Sequence, residues 1–134
     1  MRAALAWVLC LATLVALASG CGDKRESKAV LTSADVQKAF ADQGLDLSAF
    51  TIGPGIPALG YPASAAGMQG QRVVCEIYDL PSIARGVVIT IREKRPGNVS
   101  LALRAKNVVV LIDPSATPDD VQGTLGAVVE LRRA

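Results

Sequence analysis

The stretch "LPSIARGVVITIREK", Leu80 to Lys94, decides the fold, because two physical signals in it disagree. Val87, Val88, Ile89, Thr90 and Ile91 are five consecutive β-branched residues, which favour an extended strand. On a helical wheel, Leu80, Ile83, Ala84, Val87, Val88 and Ile91 instead share one side, while Ser82, Arg85, Gly86, Arg92 and Glu93 fall opposite. Ile89 is the single violation of that pattern. A β-branched residue gives up only about 0.5 kcal/mol in a helix and a glycine about 1, which burial of a continuous apolar face outweighs. Pro81 is harmless in a first turn, where its missing N–H has no partner to lose. The reading is a helix from Pro81 to Lys94, with a strand as the alternative.

Working outward, "RVVCEIYD" (Arg72 to Asp79) alternates Val73, Cys75 and Ile77 against Glu76 and reads as a strand. On the other side, "VSLALR" and "VVVLI" are separated by "AKN", which reads as a hairpin whose second strand, Val108 to Ile112, is the more buried. Two further helices are marked by their ends. The first runs from Ser33 to Gln43, with Thr32 and Asp35 as a reciprocal cap, Leu31 and Val36 as a staple, and Gly44 as a left-handed stop. The last has Thr117 as cap, Pro118 in first place and Asp119 and Asp120 in the positive first turn. Arg132 and Arg133 stand at its negative end, and its expected buried stripe is Val121, Leu125, Val128 and Leu131.

Between the first helix and the first strand, Thr51 to Gln71 carries three prolines and five glycines, which exclude a long helix or a central strand. Its apolar residues, Ile52, Ile56, Leu59, Tyr61 and Met68, imply a loop that packs partly onto the domain. The expected class is α+β, a small antiparallel sheet of three to four strands with helices packed on one face, in the order α-β-α-β-β-α. With 51% hydrophobic and 19% charged residues, one folded domain over 31–134 is the natural count.

The front of the chain has a different character. Ala3 to Ala18 is free of charge and follows Arg2, a length short for a spanning helix but suited to a signal peptide over 1–20. The exit, Leu17, Ala18, Ser19, Gly20 and Cys21, resembles the lipobox of bacterial lipoproteins. That resemblance implies that Cys21 receives a diacylglyceryl group, that cleavage falls just before it, and that Cys21 becomes the N-terminus. Ordinary signal-peptide cleavage and an uncleaved anchor are the alternatives. Several acyl chains hold a protein on a bilayer stably where one alone is marginal. Residues 21–30 then read as a polar tether. With Cys10 removed and Cys21 lipidated, Cys75 has no partner and reads as a small buried hydrophobe; without lipid, a Cys21 to Cys75 bridge is the alternative.

The capped helix with its glycine stop, the Gly/Pro-rich segment, the strand ending in Tyr78-Asp79 and the late "NVVVLID" strand before a final helix together resemble small uncharacterised lipoproteins of actinobacteria and related bacteria. The resemblance implies an α+β domain on the outer face of a bacterial cell membrane, held there by its lipid, and it implies no activity.

Function is narrowed mostly by exclusion. The chain has no histidine, so His-based nucleophile systems and His-ligated metal sites are out. Its cysteine spacing makes no zinc site, and no glycine-rich segment follows a strand as a phosphate loop does. Asp113, Asp119 and Asp120 read as capping and dipole-complementing groups rather than metal ligands, and Arg92 to Arg95 as a solvated basic run. After loss of Arg2, 13 basic residues face 12 acidic ones, a balance that calls for neither nucleic acid nor an anionic surface. No catalytic residue, metal or cofactor is expected. The leading expectation is a lipid-anchored binding or accessory module of the cell envelope, with a protein or small-ligand partner. A small enzyme using carboxylates or a Ser/Lys pair, and a structural spacer, are the alternatives.

Overall fold

The computed structural model describes residues 30–56 and 61–134. The expected signal peptide, the expected lipid-attachment residue Cys21, nearly all of the expected tether and Leu59 of the Gly/Pro-rich segment lie outside the described residues. Three helices and five strands follow in the order α1 (Ser33–Ala41), β1 (Ser48–Ala49), β2 (Ala66–Gln69), β3 (Val73–Ile77), α2 (Pro81–Lys94), β4 (Leu101–Ala105), β5 (Val108–Ile112) and α3 (Pro118–Arg133). The class is α+β, and the contested stretch is a helix with the expected bounds.

Local chemistry accounts for the helix ends. Thr32 and Asp35 close a reciprocal cap on α1, as Thr117 and Asp120 do on α3, so orphan N–H groups of each first turn are satisfied. At the other end of α1, Gly44 takes φ +76°, with Leu45 N–H donating to the Phe40 carbonyl and Gly44 N–H to that of Ala41. That double bond pattern stops the helix at Ala41, two residues short of the expected Gln43.

The sheet has five strands rather than three or four, in the order β1-β2-β3-β5-β4, and every neighbouring pair is antiparallel. The two additional strands come from β1 and from within Thr51 to Gln71, so the loop expected there ends at Ala65. Pro54, Pro57 and Pro62 precede β2, which leaves Ala66 to Gln69 free to pair with both neighbours. Of the apolar residues expected to pack down, Met68 is buried in the core and Tyr61 packs against the cluster that contains Tyr78, whereas Ile52 and Ile56 are exposed; the ring of Phe50, just before the segment, lies on Gly67. A side chain at Gly67 would run into that ring and displace it, so glycine gives the ring its place on the sheet.

The helices cover both faces, which corrects the expectation of one. On one face Cys75, Ile77, Val108 and Val110 pack with Phe40 of α1 and Ala127, Val128 and Leu131 of α3. On the other, Ala102 and Val109 pack with Ala84, Val87, Val88 and Ile91 of α2. The reason is topological. β3 and β4 both run antiparallel to β5, hence parallel to each other, and a helix joining two parallel strands of one sheet must cross over a single face of it. α1 and α3 pair on the face that remains. Because β4 is sandwiched, its buried residues are Ala102 and Ala105, and Leu101 is left 37% exposed at the sheet edge.

The face of α3 is also rotated from expectation. Its buried residues are Thr124, Ala127, Val128 and Leu131, whereas Leu125 is exposed and Val121 half-buried. Gly123 and Gly126 lie against Leu45 and Gln43 of the turn that follows α1, so small residues on this face let that turn sit close against α3.

Candidate functional site

A cleft of about 360 Å³ opens at one end of the sheet, where the turn after α1, the β2–β3 turn, the end of β5 and the start of α3 converge. It is large enough for a small molecule. Leu45, Val73, Ile112 and Thr124 line it together with Asp46, Arg72 and Asp120. Gly70 N–H donates to the Val73 carbonyl at 2.9 Å and tightens the β2–β3 turn. A Cβ at Gly70 would stand 3.0 Å from Leu47 and 3.2 Å from the Asp46 carbonyl, so glycine there lets the turn sit close against the chain after α1.

Arg72 is held rather than free. Its Nη1 donates to Ser115 Oγ at 2.9 Å, and its carbonyl accepts from Asp113 N–H at 3.0 Å. Ser115 in turn donates both its hydroxyl and, at 2.8 Å, its backbone N–H to the Asp113 carboxylate. These two bonds, the hydroxyl first, hold the Asp113 carboxyl below the usual range. Asp120 is occupied by the Thr117 cap, so Asp113, Asp119 and Asp120 serve turn and helix geometry rather than converging on one point. Among the described residues no group of three metal-ligating side chains forms. The cleft therefore places a positioned guanidinium beside the apolar side chains of Leu45, Val73 and Ile112.

Two titratable groups of β3 lie elsewhere, one buried and one half-buried. Cys75 is fully buried in the middle of the sheet, and burial pushes its thiol up to about 12, so it is an inert part of the core. Glu76, on the opposite face of β3, is also pushed above the ordinary carboxylate range by burial, an effect that the Tyr78 hydroxyl bonded to it partly offsets. A raised carboxyl pKa means that the folded protein binds this proton more readily than the unfolded chain. The ionised form is thus a destabilising presence above the raised pKa, and that penalty fades as pH falls through it. Glu76→Gln is expected to raise the Tm near neutral pH, with the gain shrinking to nothing below the ordinary glutamate range; calorimetry across pH reads this directly.

A basic groove of about 340 Å³ was not legible as a run in the sequence. Arg85 and Arg92 of α2, Arg104 of β4 and Arg132 of α3 line it together with Ile89. Of the run Arg92 to Arg95, only Arg92 contributes. Its guanidinium donates to the Ala102 carbonyl at 2.8 Å, and Arg132 Nε donates to the Arg104 carbonyl at 2.9 Å. Both carbonyls belong to the edge strand β4, so charged side chains occupy an edge that would otherwise template further pairing. Ion pairing among the described residues is confined to Lys38 with Asp42 and Glu130, which leaves all four arginines without a carboxylate partner there. The signal that marked this groove in the sequence was Ile89, the residue that broke the pattern of α2; it is 47% exposed.

Comparison with known proteins finds no matching family model, no matching curated protein and no matching solved structure.

Proposed function

We propose that the chain is a lipid-anchored module of the bacterial cell envelope that presents its cleft for binding on the side away from the bilayer. The observation that carries this reading is the position of the domain's entry. Leu31 N–H donates to Asn107 Oδ1 at 2.6 Å, and Asn107 Nδ2 returns a bond to the Leu31 carbonyl at 3.0 Å. The chain thus enters the domain beside the β4–β5 turn, at the Val108 end of β5, whereas the cleft lies at the Ile112 end. Five strand residues, roughly 17 Å, separate the two. A tether arriving from Cys21 fastens one end of the sheet and leaves the other open. The occupied carboxylates and the positioned Arg72 favour a binding role for the cleft over an enzymatic one.

Intact mass of the membrane-extracted protein, measured beside a Cys21→Ala variant, tests the anchor. The expected result is a mature chain beginning at Cys21 with added acyl mass, absent from the variant. An unmodified Cys21 thiol, or a bridge to Cys75, sinks the proposal.

A further inference from the structure

We infer that the groove of Arg85, Arg92, Arg104 and Arg132 is a docking face for the anionic lipid bilayer, so that the domain lies against the membrane rather than swinging free on its tether. The inference rests on the anchored reading for its geometry, and on the groove itself for its chemistry. Nearly equal numbers of acidic and basic residues conceal a segregation: four guanidinium groups from three separate elements meet with no ion-pair partner among the described residues. Guanidinium groups match phosphate oxygens with paired hydrogen bonds, and an anionic leaflet attracts such clusters within a Debye length of its surface.

Ile89 distinguishes a bilayer from a soluble polyanion. An isoleucine 47% exposed within a ring of arginines gains nothing from a phosphate chain in water, but it enters the headgroup and acyl boundary as the arginines meet the phosphates. Flanking Arg85 and Ile89, a second shallow depression takes in Pro81, Ser82 and Gly86, so the face extends along the exposed side of α2.

Placement completes the argument. Arg104 lies three residues before Asn107, the side chain that pins Leu31, and Lys106 lies between them. Arg132 is bonded to the Arg104 carbonyl, and Lys106 to the carbonyl of Ala134, so the end of α3 is drawn to the same corner. Ten residues from Cys21 to Leu31 span at most about 36 Å, so an anchored tether keeps the basic corner within a few tens of ångströms of the headgroups and raises its effective concentration there.

The test uses the full mature protein carrying a fluorophore on Ser82→Cys, with vesicles containing a headgroup quencher in phosphatidylcholine alone or in a mixture with phosphatidylglycerol. Docking is expected to be at least about tenfold more favourable on the anionic vesicles and to weaken steadily with added salt. Among the described residues the arginine side chains that donate hydrogen bonds are Arg72, Arg92, Arg104 and Arg132, not Arg85, so Arg85→Gln is expected to lower docking roughly fivefold without unfolding the domain, and Arg85→Lys to restore it. Equal quenching on both vesicle types, or quenching indifferent to salt in the unsubstituted protein, overturns the inference. The two readings fail separately. A sample whose mass shows no acyl group yet docks in a salt-sensitive way on anionic vesicles refutes the anchor and supports the groove, while an acylated sample that docks equally on both refutes the groove alone.

Discussion

Asn107→Ala is expected to destabilise the fold by about 3 kcal/mol, read as a fall in the urea midpoint with an unchanged slope. Asn107 is fully buried and uses its amide completely: Oδ1 accepts from Leu31 N–H, while Nδ2 donates to the carbonyls of Leu31 and, at 2.9 Å, Tyr78. Its own carbonyl accepts from Tyr78 N–H at 2.9 Å. One side chain therefore joins the domain's entry, the end of β3 and the β4–β5 turn, and truncation leaves three buried backbone groups unpaired. Asn107→Asp sharpens the expectation. It preserves the acceptor for Leu31 N–H but loses both donated bonds and buries a charge, so its folded-state pKa is raised. Stability should then be poorest near neutral pH and recover as pH falls and the carboxyl takes up a proton. A midpoint for Asn107→Ala within experimental error of the parent would show that the entry is not fastened here, and would remove the geometric support for the orientation proposed above.

Phe40→Ala carries the other large expected effect, about 3–5 kcal/mol. Among the described residues Phe40 is the largest fully buried side chain, and it sits with Val36 and Ala39 on the α1 face that meets the sheet and α3. Its removal takes away apolar burial and leaves a space that the facing β-branched residues, stiff about their first side-chain torsion, fill poorly. Single domains are stable by roughly 5–15 kcal/mol, so this one substitution is expected to bring the protein close to its unfolding threshold, with the Tm lowered by about 4–8 °C per kcal/mol lost. Phe40→Leu, which keeps most of the volume, should lose far less. A loss below about 1 kcal/mol for the alanine variant would mean that α1 is not part of the core.

Much of the local structure was legible because it depends on neighbours in the chain. Thr32 with Asp35 and Thr117 with Asp120 close their caps across three residues, and Gly44 supplies its left-handed turn whatever lies beyond it. The helix at Pro81 to Lys94 was favoured over a strand by an apolar face continuous over four turns, and the structure settles it: burial of Ala84, Val87, Val88 and Ile91 outweighs the β propensity of Val87 to Ile91. The alternation of Val73, Cys75 and Ile77 likewise appears as expected in β3.

The candidate sites were less visible. The cleft is built from four segments far apart in the chain, and none of Asp46, Arg72 or Thr124 sits in a motif. The arginine groove draws one residue from β4, one from α3 and two from α2, so a search for basic runs finds only Arg92 to Arg95 and misses the cluster. Asn107 was readable as a turn residue and nothing more, because its burial depends on Leu31, 76 residues earlier, closing over it.

What the sequence by itself determined is most of the set of elements: the two capped helices α1 and α3, the β3 strand and the β4–β5 hairpin, with α2 favoured over a strand. What only the tertiary structure decided is which faces those elements share. A strand such as Ala66 to Gln69 has too little hydrophobic pattern to declare itself and exists because β3 offers it a partner. α2 lies across the sheet from α1 and α3 because of the crossover between β3 and β4, and Leu125 faces solvent because the other side of α3, with Gly123 and Gly126, is turned to the chain that leaves α1. Caps and periodicity act over one or two turns of chain, whereas pairing and layer choice are settled by contacts between residues tens of positions apart, whose free energy no short window contains.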